Sequence, residues 1–225
     1  DDCHATEAVP PTESGIRARL GRALRYAFVT LVDEIAFWMT LGFLLTALAA
    51  GAFIASVTTS SRVGAVLYED RHSKNLWFDS DPARVLLQMS DRESGFQRFS
   101  GTHPLFAALT YPAVMALRRS FGIDRLRAVR LVSAGIAALW AGTLFLVLVL
   151  IGCRRFDSTL FTLLGIASAT SVFWAGVPET YLLGSTTMLW AVALIAWAQR
   201  RDVGPGWFTL VNAATLSVTV TNWMA

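Results

Sequence analysis

"IAFWMTLGFLLTALAAGAFIASV", residues 35–57, is the stretch on which the fold class turns. It carries no charge, and as a helix rising 1.5 Å per residue it reaches about 35 Å, enough to cross a hydrocarbon core of ~30 Å. Its apolar residues do not alternate with polar ones. In lipid every backbone amide must be satisfied within the segment, so the run reads as a helix and not as a barrel strand. Five further apolar stretches follow, at 104–117, 131–152, 160–177, 181–198 and 207–225. The expectation is an all-α, polytopic transmembrane bundle over 35–225 with one long extracytoplasmic loop at 58–102. Segment 104–117 is short and holds Pro112, which leaves open a crossing completed by polar neighbours or a re-entrant dip.

Composition agrees with a bilayer protein. The chain is 54% hydrophobic and 16% charged, with eight Trp and a mean hydropathy of +0.50, against roughly half apolar and a quarter charged in soluble domains. The net charge of +3 is small. Its Arg residues sit at the ends of apolar runs, which points to topology and headgroup contact, and no nucleic-acid partner is expected. Cys3 and Cys153 lie far apart with no CxxC or Cys/His spacing, so neither a disulfide framework nor a zinc site is supported. Walker, GxSxG, HExxH and Rossmann patterns are absent, which removes the usual ATPase, hydrolase and dehydrogenase readings. The polar stretch 1–15 is expected to be disordered, and the chain stops inside an apolar run, so a C-terminally truncated fragment is expected.

Ahead of the first span, Ile16, Leu20, Leu24, Phe28 and Leu31 recur at helical spacing, with Arg17, Arg19, Arg22 and Arg25 between them. Residues 16–34 read either as a basic amphipathic helix on the membrane surface or as an extension of the first span. Either version puts the N-terminus in the cytoplasm, in a bacterial cytoplasmic membrane, and the 58–102 loop outside. Beyond that loop two arrangements remain. If 104–117 crosses, the Arg-rich turn 118–130 is cytoplasmic and Glu179 with it; if it dips and returns, Arg154 and Arg155 are cytoplasmic and Glu179 joins the loop. The Arg count favours the first, and shared chemistry favours the second.

That chemistry rests on NLWFDSDPARVLLQM (75–89), where Asp79 and Asp81 stand two residues apart in the loop. Such a pair can hold a divalent cation such as Mg2+ or Mn2+, accept a proton from an attacking hydroxyl, or grip a sugar's hydroxyls. Asp81 precedes Pro82 and reads equally well as the cap of a helix beginning there, whereas no helix start needs Asp79. Arg84, Arg92 and Arg98 can clamp a phosphate; Trp77 and Phe78 can stack on a sugar or sit in the interfacial aromatic belt. His103, directly before Pro104, can orient a phosphate, assist proton transfer, or simply mark the boundary of the segment. Glu179 and Tyr181 occupy the turn of FWAGVPETYLLG (173–184), where the acid also reads as a helix cap. Asn212, Thr219, Thr221 and Asn222 read as interhelical polar contacts.

Taken together, WFDSDPAR (77–84), HPLFAALTYP (103–112), AVRLVSAGIAAL (128–139) and FWAGVPETYLLG resemble the N-terminal part of the GT-C-type integral-membrane glycosyltransferases, over about residues 60–225. The resemblance implies a polyprenyl-phosphate sugar donor as partner beside the membrane lipids. It also implies that Asp79, with Asp81 as the rival, is the catalytic or metal-contacting acid, with Arg84, Arg98, His103, Glu179 and Tyr181 about the substrate. A second likeness covers about residues 3–50: CHATEAVPPTESGIRARLGRALRYAFVTLVDEIAFWMTLGFLLTALAA is similar to the linker and following helix of ArsP-type permeases, which implies an exporter as the alternative.

Overall fold

The computed structural model describes residues 16–64, 82–92 and 103–218. Among them the chain is all helix, with no strand. The elements are α1 (Ile16–Arg62), α2 (Pro82–Ser90), α3 (Pro104–Phe121), α4 (Arg125–Leu150), α5 (Arg155–Ala167), α6 (Ala169–Gly176), α7 (Tyr181–Ala198) and α8 (Pro205–Val218). Contacts divide the chain into two compact units, Asp1–Phe43 and Leu44–Ala225, with the boundary inside α1. In the first unit the side chains from Arg19 to Phe43 are exposed, except for half-buried Leu41.

Three described helices are long and apolar enough to cross a membrane: Arg19–Arg62 of α1, α4 and α7. The bent pair α5 and α6 supplies a fourth if counted as one span. The 160–177 stretch is therefore not one straight segment. It breaks at Ser168 by 61°, where the Ser168 hydroxyl donates to the Gly165 carbonyl (2.9 Å) and accepts from the Ser171 amide (3.2 Å). One side chain thus closes the helix before it and caps the helix after it. Helix α3, with Pro112 inside and Arg118 and Arg119 in its last turn, is not among the candidate spans. The 14 described residues of α8 are fewer than the ~20 that a crossing needs.

In the second unit α4 is the central element, packed against α3, α5 and α7, while α7 packs against α8, and α3 against α2 and α8. Helix α4 starts at Arg125 because Asp124 caps it, accepting from the Arg127 amide at 2.9 Å, with the Arg127 guanidinium 3.1 Å from the same carboxylate. Its buried face is built largely of small residues, Ala128, Ala134, Ala137, Ala141 and Gly142, which lets neighbouring backbones come close. A Cβ on Gly142 would stand 3.1 Å from Leu45 Cδ1. Farther along, the Arg130 guanidinium donates to the Val63 carbonyl at 2.8 Å. Those two contacts lay the Leu44–Arg62 part of α1 antiparallel to α4. Trp140 Nε1 donates to Ser185 Oγ at 3.1 Å, so the start of α7 lies against the middle of α4. Thr215 reaches the Thr187 carbonyl at 3.3 Å, and α8 returns beside α7.

Candidate functional site

These directions bring several segments to the Val63 end of the bundle. The start of α4 lies beside the end of α1 through Arg130 and Val63. After α4 leads away, the α5–α6 pair comes back, and the turn 177–180 returns to that end. Helix α8 does the same, finishing at Val218. Helix α3 starts next to Val218 and runs into the start of α4, so both its ends are at the Val63 end. The Arg130 bond fixes that end, because a guanidinium tied to Val63 cannot lie at the far end of α1.

One apolar cluster holds the end together: Val85, Leu86 and Met89 of α2, Phe106 and Val114 of α3, Ala128 and Val129 of α4, Leu183 of α7 and Val218 of α8. Helix α2 begins at Pro82 and turns those three residues inward, a one-faced pattern that fits a short helix lying on the bundle. Arg84, half-buried, directly precedes Val85. His103 stands at the N-cap of α3 without capping it; instead its Nδ1 lies 2.9 Å from the Val218 carbonyl oxygen. A carbonyl only accepts, so Nδ1 is the donor and the Nε2 of the neutral ring keeps its lone pair.

The turn between α6 and α7 is more enclosed than a surface connection. Gly176, Val177, Pro178 and Thr180 are buried and Glu179 is half-buried, while Tyr181 is 46% exposed. Glu179 Oε2 accepts from the Thr180 amide at 3.3 Å, one residue ahead of the helix, so the acid is not the cap of α7, whose N-cap is Thr180, and the Tyr181 ring lies 4.5 Å from that of Trp174. The turn is pinned to α1 twice. Ser56 Oγ donates to the Ala175 carbonyl at 2.6 Å, and Gly176 sits so close to Thr59 that a Cβ there would be 2.7 Å from its Cγ2. Beside this contact a small apolar depression lies between α1, α4 and the bent pair. Its lining is apolar apart from Thr59, Ser171 and the Trp140 indole, with Ala52, Ala137 and Leu182 forming its walls.

Comparison of the chain with protein-family models, with curated proteins and with solved structures finds no match.

Of the residues that the sequence singles out, Arg84 adjoins Val85 of the apolar cluster and His103 bonds to Val218 of it, while Glu179 and Tyr181 stand in the turn that precedes Leu183. Asp79, Asp81 and Arg98, with Trp77 and Phe78, lie outside the described residues. The expected cation rests on Asp79 and Asp81; among the described residues no three His, Cys, Asp or Glu side chains come together as a metal site. Asn212 is exposed, and Thr219, Thr221 and Asn222 lie outside the described residues. The interhelical bond of α8 comes from Thr215, which sequence reasoning passed over. It also missed Arg130, Ser56 and Thr59. The Gly165, Ser168 and Ser171 spacing was a readable sign of the break, since Gly/Ser pairs are common kink sites.

Proposed function

We propose that this chain is the N-terminal part of a membrane-embedded glycosyltransferase that moves a sugar from a polyprenyl-phosphate donor to an acceptor hydroxyl at the extracytoplasmic face. The observation that supports the reading is the meeting of α2, α3 with His103 before it, and the first turn of α7 in the cluster of Leu183 and Val218. Arg84 and the His103 imidazole flank that cluster, and Glu179 and Tyr181 precede Leu183 in the chain. The likeness to GT-C-type enzymes supports the same assignment.

The chemistry is a displacement at the anomeric carbon. The acceptor oxygen forms a new bond to that carbon, and the bond from carbon to phosphate oxygen breaks. The electron pair leaves with the polyprenyl phosphate, where Arg84 and Arg98 balance its charge. The acceptor's proton passes to the Asp79 carboxylate. Partial burial near the membrane face would make an aspartate a better base than it is in water, where its pKa is ~3.9. Export is the weaker alternative, because a permease should carry ionisable groups within its spans. Residues 35–61, 131–150, 158–176 and 182–198 carry none.

The test is release of polyprenyl phosphate from a polyprenyl-phosphate hexose in proteoliposomes. Asp79→Asn should abolish release while insertion and folding stay intact. Retained release, or labelling that puts residues 65–81 on the same side as residue 30, overturns the reading.

A further inference from the structure

We draw no further inference here: the strongest candidate, the aromatic corner where Phe173, Trp174 and Tyr181 meet beside half-buried Glu179 at the turn between α6 and α7, belongs to the site already described, and nothing in the structure shows what covers its exposed edge at Tyr181.

Discussion

The two ends of the packed bundle are held by different kinds of bond. At the Val63 end, side chains reach across long stretches of sequence: Arg130 to Val63, His103 to Val218 and Ser56 to Ala175. At the other end, the described turns close on themselves. Gly152, at φ 102°, bonds back to Val149, Cys153 to Leu148, Arg201 to Trp197 and Trp207 to Gly204. A local bond shapes a turn and nothing else, whereas a long-range bond fixes one helix against another. The cross-tied end is therefore the one able to hold polar groups at set distances, as a reaction site needs. The locally closed end needs only to reverse the chain.

The largest expected effect comes from breaking the tie between α4 and α1. Arg130→Met keeps most of the aliphatic stem but removes the donor to Val63, and it should lower stability by about 1.5–3 kcal/mol, the range for hydrogen bonds involving a charged group. Its counterpart at the other end is Arg154→Met. Arg154 is exposed and precedes α5 without a capping bond, so its loss should stay within about 0.5 kcal/mol. Unfolding of both variants in the same detergent compares them directly, and equal losses would erase the distinction between the ends.

A steric version of the same contrast is Gly176→Ala against Gly204→Ala. The new Cβ at 176 meets Thr59 Cγ2 at 2.7 Å, while the one at 204 meets nothing within 4 Å. Overpacking should cost about 1–3 kcal/mol at 176, with a change of about 0.5 kcal/mol or less at 204. Thr59→Ser removes the clashing methyl group, so the pair Gly176→Ala/Thr59→Ser should recover most of the loss. If that pair remains as unstable as Gly176→Ala alone, the turn is not seated on α1 as described.

What was legible in the sequence follows from the range of the forces involved. Helix α7 runs from Tyr181 to Ala198, the bounds expected from its apolar run, because Pro178 and the Gln199–Arg201 cluster end it on either side. Helix α4 begins at Arg125, earlier than its apolar run, since Asp124 and Arg127 add a polar first turn. The 16–34 stretch and the first span are one continuous helix, because no Pro or capping residue divides them. The break at Ser168 escaped the hydropathy reading, which averages over the few residues that make it. The ties of Arg130, His103 and Ser56 escaped for a deeper reason: each ends on a backbone carbonyl, which every residue carries, so no pattern of side chains marks the acceptor. The turn with Glu179 and Tyr181 was readable as a place. Its side of the bundle was not, because that depends on the Arg130 tie.

The smallest effect tests the least protected of those ties. His103 is only half-buried, so water can replace part of what it loses, and His103→Ala should cost about 0.5–1.5 kcal/mol, the range for a neutral hydrogen bond. His103→Asn keeps a side-chain N–H near the position of Nδ1 and should retain most of the stability. Nitrogen-15 spectra give an independent reading of the same bond. With the Val218 carbonyl as acceptor, the neutral ring must carry its proton on Nδ1 and show Nε2 as the unprotonated nitrogen. If Nδ1 were instead the bare nitrogen, and Ala were tolerated as well as Asn, His103 would be no more than a boundary residue before Pro104. The end of α8 would then be held by the packing of Val218 alone, and the Val63 end would lose one of the three long-range bonds that set it apart.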